Sequence, residues 1–106
     1  MIVCLIEFEI KPGMESNQQR WLEKLMPRVE KIPGFLSKES YSHVSGDGRI
    51  STISLWKDEQ SLLAWTREPI HQQAMQEGKE KIFSRYNIKI CRELRDYSYS
   101  ANGTKK

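Results

Sequence analysis

An α+β domain in the order β-α-β-β-α-β is predicted by three observations in this sequence. Ile2, Cys4, Ile6, Phe8 and Ile10 recur at every second position in residues 2–10; residues from about 16 to 31 carry apolar side chains at helical spacing; and Ser45-Gly46-Asp47-Gly48 separates two strand-like runs as a hairpin turn. Sheet-type and helix-type periodicities thus follow one another in a single chain of 106 residues, which has room for one core.

The elements follow in turn. In the first strand Ile2, Cys4, Ile6, Phe8 and Ile10 share one face, and Lys11-Pro12-Gly13 ends it. Ser16 is the expected N-cap of the first helix, whose apolar stripe is Trp21, Leu22, Leu25, Met26, Val29 and Ile32. Pro27 lies inside this pattern and removes one helical hydrogen bond, which predicts a kink or break near Met26. Pro33-Gly34 closes the helix, residues 35–43 read as the second strand, and 49–56 as the third. Asp58 caps a short helix carrying Leu62, Leu63 and Trp65, and Pro69 opens a longer one expected to reach about residue 85. The fourth strand is expected over 87–95. The domain is read as 1–97, with a polar C-terminal tail over 98–106.

This order is the ferredoxin-like one, in which a four-stranded antiparallel sheet buries one face under the helices. The second face is apolar as well. Val3 and Leu5 of the first strand point there, and the third strand is apolar on both sides, with Ile53 and Leu55 against Ile50 and Trp56. No spare element exists to cover that face, so a second copy is the expected cover. The prediction is a homodimer whose sheets face each other.

Composition narrows the function classes. The net charge of +3 comes from 17 basic and 14 acidic residues mixed along the chain, which argues against a nucleic-acid partner. No apolar run approaches the roughly 20 residues of a membrane span, so no membrane partner is expected. Met1 to Ile6 lacks a basic leader and Glu7 cuts the run short, unlike a signal peptide. Cys4 and Cys91 form no metal-type pair and read as reduced, packed thiols of a cytoplasmic protein. Phosphate loops, zinc histidine pairs and nucleophile motifs are all missing.

The informative segment follows Pro69. With Ile70 at zero and about 100° per residue, Ala74, Gly78, Ile82 and Met75 fall within about 140° of it, and His71 at about 100° lies amid them. His71 is therefore expected to point inward. It is either a core histidine satisfied by a carbonyl or side chain, or a pocket base poised by a free pKa near neutrality. Gly78 on the same face implies close packing against the sheet or room for a ligand, since a mid-helix glycine costs roughly 1 kcal/mol. Trp65 caps the core or forms a pocket wall whose indole N–H donates to a planar ligand. Phe35, Tyr41 and His43 alternate on the second strand and share a face, as secondary candidates for a cavity or the dimer seam. Trp56 at the end of the third strand reads first as core. An apolar pocket with few polar groups suits a small aromatic or lipophilic ligand better than a sugar or nucleotide.

Pro33-Gly34-Phe35-Leu36-Ser37 and Ile53-Ser54-Leu55-Trp56-Lys57-Asp58-Glu59 resemble the antibiotic biosynthesis monooxygenase domain. So do Ala64-Trp65, Pro69 with His71, Gly78-Lys79, and Tyr86 with Arg95-Asp96-Tyr97, and the similarity covers roughly 2–97. The resemblance implies a dimeric α+β barrel, and oxygenases that oxidise a phenol or quinol with dioxygen and need no cofactor and no metal. It implies that Trp65 donates to the substrate oxygen and His71 accepts the substrate proton, with Arg67 supplying positive charge. The expected catalytic residues are thus His71 and Trp65, and the expected substrate-binding residues Phe35, Tyr41, His43, Trp56, Arg67 and Met75. Haem-degrading relatives resemble a different pattern, with a first-strand asparagine and a histidine ten residues after the tryptophan; here that position is Met75 and the asparagine is missing. A non-catalytic ligand-binding or stress-related dimeric module is the alternative reading.

Overall fold

The computed structural model of the chain describes residues 1–101. Its elements run β1 (Ile2–Ile10), α1 (Glu15–Val29), β2 (Phe35–Ser42), β3 (Arg49–Trp56), α2 (Glu59–Thr66), α3 (Pro69–Glu77), a π-helical turn (Gly78–Ile82) and β4 (Phe83–Arg92). All strand pairs are antiparallel, in the order β2-β3-β1-β4. This is the predicted ferredoxin-like α+β subunit. Residues 93–101 carry no helix or strand, and residues 102–106 of the expected tail lie outside the described residues.

The helices pack on the face that β1 presents through Ile2 and Cys4. These join Trp56 of β3, Leu25 and Val29 of α1, Leu62 and Trp65 of α2, and Ala74 of α3 in one buried cluster. Two hydroxyls enter this layer already paired: Thr52 Oγ1 lies 2.8 Å from Ser40 Oγ, and Ser54 Oγ accepts from the Trp56 indole N–H at 2.9 Å. A buried hydroxyl without such a partner would cost roughly 1–3 kcal/mol.

Several local expectations give way to tertiary contacts. α1 starts at Glu15, not after a Ser16 cap; position Met14 precedes it, and the Glu15 carboxylate accepts from Gly13 N–H at 3.1 Å instead. Pro27 does not break the helix. Glu30 N–H donates to the Met26 carbonyl at 3.2 Å, so the ladder resumes directly past the ring while Leu25 and Val29 hold the last turn to the core. The segment after Pro69 is α-helical only to Glu77, and β4 begins at Phe83 rather than 87. Phe83 is drawn into the sheet by its ring contact with Phe8, centroids 4.9 Å apart, and Lys11 N–H donates to the Ile82 carbonyl at 2.7 Å. β4 ends at Arg92, not 95: Arg92 pairs with Ile2, and one further bond, from Glu93 N–H to the Met1 carbonyl at 2.9 Å, closes the ladder.

One register slip matters for the site. β2 shifts against β3 between Phe35 and Ser37: Phe35 lies opposite Trp56, but Ser37 lies opposite Leu55. A single extra residue flips every later side chain to the other face. Lys38 and Ser40 consequently turn toward the helices, opposite Ser54 and Thr52, while Tyr41 lies opposite Ser51 on the open face. The expectation that Tyr41 and His43 share a face with Phe35 fails on this bulge.

Gly78 opens the π-helical turn, and its space is filled. A Cβ there would lie 2.7 Å from Phe83 Cε2, so the glycine serves close packing and not a ligand. Gly78→Ala is expected to lose about 1–3 kcal/mol despite the better helix propensity of alanine. A urea midpoint lowered by that amount checks it, and an unchanged midpoint would mean the Phe83 ring swings aside freely.

The open face carries Val3, Leu5, Ile53 and Leu55, each half-buried with no helix or strand of the described residues above it. Cys91 also lies on this side, opposite Val3, and is exposed, so only Cys4 is the packed thiol that was expected of both. Burial pushes the Cys4 thiol above its ordinary value.

Candidate functional site

The junction between α2 and α3 builds the site. Asp58 caps α2 by accepting from Ser61 N–H at 2.9 Å, which sets the helix so that Trp65 faces the core, 9% exposed. Pro69 stands in the first turn of α3 and Glu68 caps it: Glu68 Oε1 accepts from His71 N–H at 2.9 Å, while Oε2 accepts from Arg28 Nε of α1 at 2.6 Å. The Arg28 guanidinium holds the Glu68 carboxyl below the usual carboxylate range. The first turn of α3 is thereby tied to α1, and His71 with it.

From that turn the imidazole folds back onto the indole. The two rings stack with centroids 4.1 Å apart and planes within 12°, and His71 Nδ1 lies 2.9 Å from the Trp65 carbonyl oxygen. A carbonyl only accepts, so Nδ1 carries the proton and Nε2 presents a lone pair. Burial pushes the imidazole below its ordinary value of 6.5, aided by the charge of Lys38 and opposed by the Trp65 carbonyl and Glu68. His71 is therefore neutral at pH 7, with the tautomer a proton acceptor needs.

Neither Nε2 of His71 nor the Trp65 indole N–H has a hydrogen-bond partner among the described residues. Among the described residues no sealed side-chain nitrogen or oxygen is left without one, so both atoms reach accessible surface. One acceptor and one donor are thus left without a partner on adjacent stacked rings.

Of the other expected binding residues, Phe35 meets Trp56 edge-on with centroids 5.2 Å apart, and both belong to the layer around Trp65. Trp56 is 1% exposed with its N–H already donated to Ser54, so it supports the site without touching a ligand. Arg67 and Met75 are exposed, Met75 because it sits at the rim of the α3 stripe. Tyr41 and His43 lie away from the pair. The Tyr41 hydroxyl donates to Glu39 at 2.7 Å, and His43 Nε2 is 2.9 Å from Ser51 Oγ and 3.4 Å from Glu7 on the open-face side of the sheet. Lys38 is the residue that sequence reasoning missed. The β2 bulge turns it under the helices, where Nζ approaches Met26 Sδ at 3.8 Å, and nothing in the alternation of β2 signals this.

Grooves among the described residues lie away from the Trp65–His71 pair. One of about 560 Å³ runs between α1 and the end of α3, lined by Trp21, Lys24 and Glu77. A smaller one of about 70 Å³ lies by Glu7, Arg49 and Arg85. Neither is lined by Trp65 or His71. Among the described residues no three His, Cys, Asp or Glu side chains gather as a metal site would, and no helix is long and apolar enough to cross a membrane.

A four-stranded antiparallel sheet backed by helices, with a tryptophan–histidine stack at the helix junction, defines a small α+β protein of the ferredoxin-like class. The chain belongs to the antibiotic biosynthesis monooxygenase family, whose sequence profile matches residues 1–77. It is similar to the jasmonate monooxygenase ABM of Pyricularia oryzae, 26% identical over 90 residues that cover 85% of this chain. The chain spans 42% of that protein's length. Among solved structures it is similar to a conserved protein of Methanosarcina mazei, 20% identical with TM-score 0.77, covering 87% of this chain and 91% of that one. It also matches a mutant of SnoaB, a cofactor-independent oxygenase of Streptomyces nogalater, at 10% identity and TM-score 0.75, covering 90% of this chain and 94% of the other. At such identities these likenesses establish the shared fold.

Proposed function

We propose that this chain is a cofactor-independent monooxygenase that oxidises a small phenol or quinol with dioxygen. The observation that carries the reading is His71: a neutral imidazole whose Nδ1–H is held by the Trp65 carbonyl and whose Nε2 lone pair is unused. Nε2 takes the phenolic proton, which makes the ring electron-rich enough to react with dioxygen. The Trp65 N–H donates to the phenolate oxygen and steadies its charge. For a phenol the balance closes without any other reductant. One oxygen atom becomes the new carbonyl of a quinone, and the second leaves as water with the ring hydrogen and the phenolic proton.

The test is oxygen uptake by the purified chain with a panel of naphthols and naphthoquinols, with an anaerobic control and mass analysis of the product. One oxygen atom of labelled dioxygen in the product is expected. No uptake above the uncatalysed rate across the panel would sink the reading. One observation favours a second reading, a non-catalytic small-ligand-binding or stress-related module: neither groove touches the Trp65–His71 pair.

The working form in this reading is a homodimer, supported by the uncovered apolar strip of Val3, Leu5, Ile53 and Leu55. Light scattering is expected to return about twice the 12.5 kDa chain mass, and Leu5→Lys to return one chain mass. A wild-type monomer at micromolar concentration would rule out this cover for the strip.

A further inference from the structure

We infer that Lys38 is the anion-recognising residue of the Trp65–His71 site, so that its substrate carries a carboxylate beside the aromatic ring. The inference deepens the oxygenase reading and rests on it for the location of the site. Three observations converge on the lysine. Its place opposite Ser54, on the face where Trp56 is buried, turns the side chain under the helices. Its ammonium meets a thioether, Met26 Sδ at 3.8 Å, which is a weak acceptor. None of the ion pairs among the described residues includes it, and the Glu68 carboxylate that caps α3 is already engaged by Arg28 and the His71 N–H.

An ammonium taken out of water without an anion is costly, and such groups are found paired or with a depressed pKa. Burial does push the Lys38 amine down, and its charge is close enough to be felt at His71. Met26, which the ammonium meets, packs on the buried cluster that holds Trp65, so the cation and the His71 acceptor, both short of a partner, belong to one packed layer. That fits a ligand that brings one anionic group and one ionisable hydroxyl. A free carboxylate matches the ammonium as a point charge, while the phenol oxygen is left for Trp65 and His71. A phenolate alone could supply the same oxyanion chemistry, so the experiment must separate the two sources.

The probes are 1-hydroxy-2-naphthoate, its methyl ester, 2-naphthoate and 1-naphthol, titrated into the full chain while tryptophan fluorescence is followed. The two carboxylates are expected to bind at least tenfold more tightly than the ester and 1-naphthol. Lys38→Met should remove that preference and leave ester affinity unchanged, while Lys38→Arg should keep it within about threefold because the charge remains. Lys38→Met should also raise Tm by a few degrees, since a half-buried cation without an anionic partner is replaced by an apolar side chain. The comparison of acid with ester on wild type needs no variant, so a misfolded mutant does not shield the idea. Equal affinity for acid and ester overturns it, as does a Lys38→Met chain that still prefers the acid; in either case the oxygenase reading stands untouched. If 1-naphthol alone binds in a Lys38-dependent way, the lysine reads phenolate and the carboxylate assignment falls. Lys38-dependent acid binding with oxygen uptake indifferent to His71 keeps the inference and sinks the oxygenase reading.

Discussion

His71→Ala is expected to lower kcat/KM for oxygen uptake by about 10²–10⁴-fold, the usual contribution of a positioned general base. The variant loses the Nε2 lone pair and the ring stacked 4.1 Å from the Trp65 indole, but none of the buried cluster beneath. Far-ultraviolet circular dichroism should therefore match wild type while the reaction is lost. Trp65→Phe keeps an aromatic face for the stack and removes one donor to the substrate oxygen, so its loss should be smaller. If wild type and the His71→Ala, Trp65→Phe double variant consume oxygen equally, the pair is not the reaction centre.

The pH profile offers an independent check on the same residue. The imidazole in the folded chain sits below its ordinary 6.5, because burial disfavours its charged form. Activity should therefore persist below pH 6.5 and fall only when pH passes through the depressed folded value. His71→Ala should remove that acid limb. Stability moves with the opposite partner in the equilibrium. Above 6.5 the ring is neutral in both folded and unfolded chains and its contribution is fully present. As pH drops below 6.5 the unfolded chain takes up the proton first, so stability declines across the window down to the folded value and then levels off.

Trp56→Ala is the substitution with the largest expected effect on folding, about 3–5 kcal/mol. That is a large share of the roughly 5–15 kcal/mol that holds a domain of this size together. The indole is 1% exposed, meets Phe35 edge-on, and donates to Ser54 Oγ at 2.9 Å. Truncation leaves a cavity between β3 and the helices and takes away the donor that Ser54 now accepts from. Trp56→Phe restores most of the volume but not the N–H, so about 1–2 kcal/mol should remain lost. Urea unfolding measures both. A loss below about 1 kcal/mol for the alanine variant would mean the layer collapses around the gap. Because Trp56 presents no polar atom to a ligand, Trp56→Phe should keep wild-type kcat/KM, unlike any change at His71.

What could be read from the chain alone was whatever local periodicity and turn chemistry encode. Alternation in 2–10, the Gly46 and Gly48 turn, the Asp58 cap and Pro69 at the helix start produced the strand order and both helical segments. The wheel placed Ala74, Gly78 and Ile82 inward, as they are; it set His71 in the middle of that stripe, where the ring is half-buried, and Met75 with it, which is exposed. Helix rotation depends only on spacing along one segment, so these survive without knowledge of neighbours. What the sequence could not decide depends on contacts across the fold. The bulge after Phe35 is set by pairing with β3, and it sends Tyr41 to the open face while bringing Lys38 under the helices. The early start of β4 is set by Phe83 meeting Phe8, and the fate of the Gly78 space by that same ring. Register and ring packing join residues far apart in the chain, and a slip of one position reverses every face downstream, so only the assembled sheet determines which polar groups of β2 lie under the helices.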